Sequence, residues 1–148
     1  MNIIELSKKH MNEIEGLWKE LNSLHRELSS NFKSHFESFT FDNRVKQLSI
    51  KENLSIFVAK EADANIGYCV VTKDNEIGEI DSLFVRKEYQ GQGVGHELMS
   101  KAFEWLKNKK CSAINIYVAQ GNESVLTFYE KYGFKKRFTV LQKAEQSR

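Results

Sequence analysis

Apolar residues recur every three or four positions near the start of the chain, which is the spacing of one buried helix face. Ser7 is placed to cap this helix, which should end near Ser29. The apolar positions of the face are Ile14, Leu17, Trp18, Leu21, Leu24 and Leu28. The segment 29–41 carries four phenylalanines among polar residues and predicts a loop or a broken helix. A short helix should follow Asp42.

Two further helices are predicted in the second half of the chain. Residues 93–109 carry a helical stripe of apolar side chains directly after a cluster of glycines. Residues 121–133 form the next helical pattern, with Asn122 placed as its N-cap and Gly133 as its C-terminal stop.

Short stretches rich in β-branched and aromatic residues predict the strands. They cover residues 2–6, 54–61, 65–73, 76–86, 112–120 and 134–143. Very short connections separate the second, third and fourth of these stretches, so they should form an antiparallel meander. The strand, helix and strand around the glycines should form a right-handed crossover, which makes the two flanking strands parallel.

The predicted order is therefore βααβββαβαβ, an α/β fold with a mixed, mostly antiparallel sheet and helices on both faces. A chain of 148 residues fits one domain and can bury roughly 70% of the surface of its unfolded form. We expect residues 1–148 to form a single domain.

Composition and charge exclude several classes of protein. Hydrophobic residues are 41% and charged residues 28% of the chain, no apolar run is long enough to cross a bilayer, and the N-terminus lacks the pattern of a signal peptide. These features predict a cytoplasmic protein without a membrane partner. The net charge of +2 is too small to indicate nucleic acid. Cys69, Cys111 and the four histidines show no metal-ligand spacing, so we expect reduced thiols and no metal.

The glycine cluster is the strongest chemical signal. Gly91, Gly93 and Gly95 alternate just before a predicted helix, where unpaired N–H groups and the helix dipole favour an anion such as phosphate. Neither of two familiar phosphate loops matches, because G-x-G-x-x-G would need a glycine at His96 and G-x-x-x-x-G-K-[ST] is absent. A flexible turn without a ligand is the alternative for the glycines alone.

Two motifs in this half of the chain resemble those of the GNAT acetyltransferase superfamily. Val85 is followed after four residues by Gln90-Gly91-Gln92-Gly93-Val94-Gly95, which is similar to the signature of Gln or Arg, two residues, Gly, one residue, and Gly or Ala. Downstream, Asn122 precedes Phe128-Tyr129-Glu130-Lys131 and Gly133-Phe134, as in the second motif. The resemblance covers roughly residues 54–143.

The resemblance implies that acetyl-CoA is the co-substrate. Main-chain N–H groups would hold its pyrophosphate at Gln90, Gly91, Gln92, Gly93, Val94, Gly95 and His96. A bulge near Leu83 and Phe84 would free main-chain groups of Leu83, Phe84 and Val85 for the pantetheine arm, between two strands that splay apart. Asn122 would contact the pantetheine or acetyl region. The Gln90 side chain either bonds phosphate oxygens, as the family pattern implies, or is a solvated loop residue.

Acetyl transfer to an amine needs a proton acceptor, because a lysine-like amine is neutral in only about one molecule in 2,500 at pH 7. Glu79 is the leading candidate, and strand alternation places Asp81 on its face if no bulge intervenes. Glu79 also resembles the catalytic glutamate of the histone acetyltransferase branch, although many family members pass the proton through water. The family pattern assigns the general acid that protonates the departing thiolate to Tyr129.

The acceptor is less defined. The superfamily's acceptor site is walled by the first helix and the loop after it, which implies His25 and Phe32 as liners together with His35, Phe36 and Phe39. Glu79 and Asp81 favour a cationic acceptor, for which reason Asp81 is also a predicted substrate contact. The aromatic segment 31–41 offers a surface for a homodimer.

Taken together, these features predict an acetyl-CoA-dependent N-acetyltransferase that acts on a primary amine of a small molecule, a peptide or a protein. A non-catalytic module of the same fold, which senses acyl-CoA or binds a partner, is the alternative. A phosphate-binding domain for another nucleotide is a further alternative, and calorimetry with ATP, NAD and CoA would distinguish it.

Overall fold

A five-stranded sheet forms the centre of the first of two compact units into which the chain divides. The computed structural model describes residues 1–144. The first unit contains Met1–Leu21 and Thr40–Tyr117, and the second contains Asn22–Phe39 and the residues from Val118 onward. Each unit is described by itself.

The strands of the sheet lie in the order in which they occur along the chain. They are β1 (Asn2–Leu6), β2 (Asn53–Glu61), β3 (Ala64–Asp74), β4 (Ile77–Val85) and β5 (Ala113–Ile116). The first four are antiparallel, and β5 is parallel to β4. Short turns can join only antiparallel neighbours, whereas a parallel pair needs a crossover such as the helix between β4 and β5. The predicted meander and the predicted parallel pair are both confirmed.

Helices cover both faces of this sheet. Helix α4 (Val94–Lys109) lies on one face, where its Trp105 lines a cleft with Phe57 of β2. Successive strand residues alternate between faces, so Thr72 of β3 lies on the other face, where it is hydrogen-bonded to Asp81. Helix α3 (Phe41–Ser49) lies on this second face, because its Arg44 donates a hydrogen bond to the main-chain oxygen of Asp81. The fully buried core between these layers includes Ile56, Val58, Ile66, Tyr68, Val70, Leu98 and Met99.

The first helical segment differs in detail from the sequence prediction. The Ser7 side chain makes no capping hydrogen bond, and the segment begins as a 3₁₀ helix (Lys8–Ile14) that is kinked at His10. The α-helix α1 runs over Glu15–Leu28, so its predicted end near Ser29 is confirmed. Helix α3 begins one residue before Asp42, because the Thr40 hydroxyl caps it by accepting from the Asn43 N–H at 3.1 Å.

The second unit has little regular structure. It contains the end of α1, α2 (Lys33–Ser38), a 3₁₀ helix (Glu123–Val125) and α5 (Leu126–Glu130). The predicted helix over 121–133 is therefore present but shorter. Gly133 follows it with a φ of 90°, and the Gly133 N–H donates to Glu130 O, as expected of a helix stop.

The predicted final strand is wrong as far as its residues are described. Residues 134–144 form no strand, and Phe138, Val140 and Leu141 are exposed. Strand β5 likewise ends at Ile116 rather than at Gln120. A segment with strand-like composition forms a strand only where a neighbouring strand supplies hydrogen bonds and packing, and the sequence pattern alone does not show whether such a neighbour is present. Among residues 1–144, none of the helices is both long and apolar enough to cross a bilayer.

Candidate active site

The glycine turn leads from β4 into α4. A 3₁₀ turn (Lys87–Tyr89) is followed by Gly91 with a φ of 78° and by Gly93 with a φ of 84°, which is the N-cap of α4. These left-handed conformations favour glycine. A Cβ atom added to either glycine would meet no atom within 4 Å, so the space beside both is open.

The first turn of α4 carries main-chain N–H groups without a partner in the helix. The first hydrogen bond of the helix runs from the Glu97 N–H to Gly93 O at 3.0 Å, so the N–H groups of Val94 and Gly95 have no acceptor inside the helix. The Gln90 N–H, in contrast, donates to Lys87 O. The turn therefore offers helix-terminal donors beside an open space, which is the arrangement that suits an anion.

The two glutamines of the turn use their side chains within the protein. The Gln90 amide donates to Val85 O at 2.8 Å, and the Gln92 amide donates to Glu88 O at 3.1 Å. Both side chains are exposed. These hydrogen bonds stabilise the turn, so the donors available to a ligand are its main-chain N–H groups.

The bulge of β4 lies earlier than predicted. Val70 of β3 pairs with Ser82 and Val71 pairs with Ile80, so the extra residue is Asp81 and not Leu83 or Phe84. A bulge leaves its extra residue outside the ladder of hydrogen bonds and bends the strand. Leu83, Phe84 and Val85 remain paired with β3 on one side. On the other side, the pairing with β5 covers Ile77–Ile80, and β4 continues beyond it to Val85.

The two carboxylates that the sequence singled out lie side by side at the bulge. Glu79 pairs with Thr72 across the strands, and the Thr72 hydroxyl donates to Asp81 Oδ2 at 2.5 Å. Burial raises the pKa of Asp81 to about 7, and the adjacent Glu79 carboxyl acts in the same direction. Lys51 Nζ lies 3.9 Å from Glu79 Oε1. A carboxyl with a pKa near neutrality can accept a proton under working conditions.

Arg44 and Thr72 are members of this cluster that sequence reasoning missed. Arg44 Nη2 donates to the main-chain oxygen of Asp81 at 2.8 Å. Thr72 is 1% exposed, although it stands near the end of its strand. Thr72 could have been found from the sequence, because it is a polar residue at a position that strand alternation assigns to a buried face. Arg44 could not, because in the sequence it looks like any charged residue of a short helix.

Asn122 and Tyr129 lie in the second unit on one continuous segment. Asn122 is at the N-cap of the 3₁₀ helix, but its side chain makes no capping bond. Tyr129 is a half-buried residue of α5, with its ring centroid 5.4 Å from that of Phe128 and 6.2 Å from that of Phe134. The tyrosine ring thus contacts both phenylalanine rings in edge-to-face geometry.

The predicted acceptor liners form an aromatic cluster in the second unit. The His25 ring lies 5.4 Å from that of Phe36, and His35 contacts both Phe36 and Phe39. Burial lowers the pKa of His25, so this imidazole is neutral over more of the physiological range. The Phe32 N–H donates to the Ser29 hydroxyl at 3.1 Å, which fixes the start of α2.

A second Gln-Gly turn, which the sequence interpretation passed over, organises the second unit. The fully buried Ser29 hydroxyl donates to Gln120 Oε1 at 2.6 Å. Gly121 has a φ of 95°, and a Cβ atom there would overlap the main-chain oxygen of Leu28. The turn therefore packs directly against the end of α1. The long sequence separation of these contacts explains why no local pattern indicated them.

The predicted site residues thus fall into two groups, one in each unit. The first unit holds Glu79, Asp81, Leu83–Val85 and 90–96, while the second holds His25, Phe32, Asn122 and Tyr129. A cleft of about 160 Å³ beside α4, lined by Ile3, Glu5, Phe57, Lys101, Glu104, Trp105 and Asn108, includes none of them. In the described part of the chain, three or more potential His, Cys, Asp or Glu ligands do not come together as a metal site.

Comparison with known proteins identifies the family and the fold. A model of the acetyltransferase (GNAT) family matches residues 18–134. An uncharacterised N-acetyltransferase of Methanocaldococcus jannaschii is 31% identical over 65 residues, which are 44% of this chain and 29% of that protein. N-alpha-acetyltransferase 30 of Schizosaccharomyces pombe is 32% identical over 83 residues, which are 53% of this chain and 55% of that protein. The chain thus spans less than two thirds of either relative.

A solved structure of an aminoglycoside N-acetyltransferase in complex with CoA shares the fold. Its TM-score is 0.68 at 17% identity, and the match covers 99% of this chain and 100% of that one. The predicted fold class, a mixed sheet of mostly antiparallel strands flanked by helices, is confirmed.

Proposed function

The chain belongs to the GNAT family of acetyltransferases, and on that premise we propose that it is an acetyl-CoA-dependent N-acetyltransferase acting on a primary amine. The acceptor is an amine of a small molecule, a peptide or a protein. The observation that carries the proposal is the open space beside Gly91 and Gly93, in the turn that leads into α4 and its main-chain donors. This is the segment that carries the family's glycine signature.

Main-chain groups of the glycine turn and of β4 would hold acetyl-CoA. The donors of the glycine turn suit its pyrophosphate, and the stretch of β4 beyond Ile80 offers main-chain groups of Leu83–Val85 to the pantetheine arm. Asn122 would contact the pantetheine or acetyl region. Acetyl-CoA supplies the acetyl group as a thioester. The family model, which covers residues 18–134, includes parts of both units and supports our proposal that they act as one domain.

Two carboxyls and a phenol of this chain would carry out the proton transfers of the reaction. Glu79 with Asp81 would accept the proton of the incoming ammonium group, directly or through water, because the pKa of Asp81 is raised to about 7. The phenol of Tyr129 would donate a proton to the departing thiolate. No metal has a role in this scheme.

The acceptor is proposed to be cationic before it reacts. Two carboxyls on the α3 face of the sheet attract an ammonium group, and His25 and Phe32 would contribute an aromatic wall. The structural neighbour is an aminoglycoside N-acetyltransferase and the yeast relative is an N-alpha-acetyltransferase, so we propose aminoglycosides and α-amino groups as first substrates to test.

The test is an acetyl-CoA consumption screen against polyamines, aminoglycosides, lysine peptides and protein N-termini. We expect the Tyr129→Phe variant to lose about 10²-fold or more in kcat on a responsive amine, which is the range of general acid catalysis, while its Kd for CoA is unchanged. Tyr132→Phe, on the same segment, is the matched control and should keep its turnover. Equal turnover of wild type and Tyr129→Phe would remove Tyr129 from the mechanism.

Calorimetry with CoA, ATP and NAD completes the test. Binding of CoA without acetyl consumption on any amine would favour the non-catalytic module. Binding of ATP or NAD without CoA would overturn the proposal.

A further inference from the structure

The bulge in β4 depends on a contact from a distant part of the chain. Asp81 is the extra residue of the bulge, so its main-chain groups lie outside the ladder between β3 and β4. Arg44, 37 residues earlier on α3, donates to the main-chain oxygen of Asp81 at 2.8 Å. The guanidinium therefore supplies a hydrogen bond that the sheet does not. It fixes the main chain from which the Asp81 carboxyl projects.

The same guanidinium acts on the charge of the carboxyl. Burial and the Glu79 carboxyl raise the pKa of Asp81, whereas the positive charge of Arg44 and the hydrogen bond from Thr72 lower it. Cys69, on the neighbouring strand, is buried as the neutral thiol because burial raises its pKa. Lys51 faces Glu79 at 3.9 Å. Arg44 is thus the cation whose charge bears on Asp81, in addition to its bond to the Asp81 main chain.

We propose that Arg44 is a positioning residue of the acetyl-transfer reaction, which holds the bulge so that the carboxyls of Asp81 and Glu79 stay side by side and act as one proton acceptor. The inference rests on the proposed function. In the step concerned, the ammonium nitrogen of the acceptor loses a proton to a carboxylate oxygen of the pair, which yields a neutral amine and a carboxylic acid. The Glu79 carboxyl raises the pKa of Asp81, so a displacement of either side chain changes the proton affinity of the Asp81 carboxyl.

The test is the pH dependence of kcat/KM over roughly pH 5.5 to 9.5, where a proton acceptor of this kind titrates. In Arg44→Met the cation is lost, so the carboxylate of Asp81 is less stable, the pKa of Asp81 rises and the acid limb moves to higher pH. We expect a move of about half to one pH unit, which is a roughly 3- to 10-fold loss on the acid limb that recovers at alkaline pH. Arg44→Lys keeps the charge and should restore part of the profile.

Lys46→Met is the matched control, because Lys46 is an exposed cation on the same helix. Its acid limb should coincide with that of the wild type. A loss in Arg44→Met that is equal at every pH, or an acid limb that moves as far in Lys46→Met, would overturn the inference.

A readout without turnover separates this inference from the proposed function. Carbon-13 NMR can follow the side-chain carboxyls during a pH titration, with the Asp81 signal assigned from Asp81→Asn. We expect the titration of the Asp81 carboxyl to move to higher pH in Arg44→Met and less so in Arg44→Lys. If the wild type acetylates no amine, the proposed function fails, and this titration still shows whether Arg44 controls Asp81. An unchanged titration in both variants overturns the inference even if the enzyme is active.

Discussion

Two turns of this chain share the same dipeptide, a glutamine followed by a glycine with positive φ, and differ in what surrounds the glycine. At Gly91 and Gly93 the space that a side chain would occupy is open. At Gly121 that space is already filled by the main-chain oxygen of Leu28. The φ values are similar, at 78°, 84° and 95°. The conformation alone therefore does not distinguish a turn that leaves room for a ligand from one that is packed against the protein.

The glutamines differ in the same way. Gln120 is half-buried and accepts a hydrogen bond from the fully buried Ser29, which ties it to the rest of its unit. Gln90 and Gln92 are exposed and bond to the main chain of their own turn. The turn at 120–121 therefore stabilises the fold by packing. The open surroundings of the turn at 90–93 support our proposal that it binds a ligand.

The largest effect is expected from Gly121→Ala. An alanine with positive φ costs about 1–2 kcal/mol, and the overlap with Leu28 O forces the main chain to move, so we expect a total loss of roughly 3 kcal/mol or more. The melting temperature, followed by circular dichroism, should fall by about 6 to 12 °C. Gly16→Ala is the control, because Gly16 lies in α1 with nothing near its added Cβ, and alanine there should stabilise the helix slightly. Equal melting of the two variants would contradict the packing role of Gly121.

Gly93→Ala should have a smaller effect on stability and a larger one on the ligand. The positive φ costs about 1–2 kcal/mol with no overlap, while the new methyl group enters the space proposed for the pyrophosphate, so the Kd for CoA should rise about 10-fold or more. Gly133→Ala is the matched control, since Gly133 has a φ of 90° and equally open surroundings. It should lose similar stability and keep its affinity for CoA. A similar fall of affinity in both variants would indicate a general loss of folded protein.

The sequence predicts those parts of the fold that depend on neighbouring residues. The meander from β2 to β4 follows from alternation and short turns, and α4 follows from its apolar stripe between two strands. The glycine turn is likewise a local pattern. All three are interactions within a few residues or between consecutive elements, which is the range over which periodicity carries information.

The parts that could not be predicted depend on distant partners. The bulge at Asp81 is a relation between the registers of two strands, and the sequence of β4 alone does not say where it falls. The Arg44 contact joins residues 37 positions apart, and the Gly121 contact joins a turn to the end of α1. The predicted final strand failed for the converse reason, because residues 134–144 have strand-like composition but form no strand.

Gln90→Ala should have the smallest effect, and it tests whether side chains or main chain hold the ligand at the glycine turn. The Gln90 amide is exposed and donates to Val85 O at 2.8 Å, so its loss should cost about 1 kcal/mol or less of stability. If main-chain donors hold the pyrophosphate, the Kd for CoA should rise by less than about 3-fold, which is under 1 kcal/mol. Gln92→Ala, which loses the matching bond to Glu88 O, should behave in the same way. A loss of affinity of about 10-fold or more in Gln90→Ala alone would mean that its amide leaves Val85 and donates to the ligand. In that case the Gln-Gly pair at 90–91 would use both its side chain and its main chain for binding, unlike the pair at 120–121.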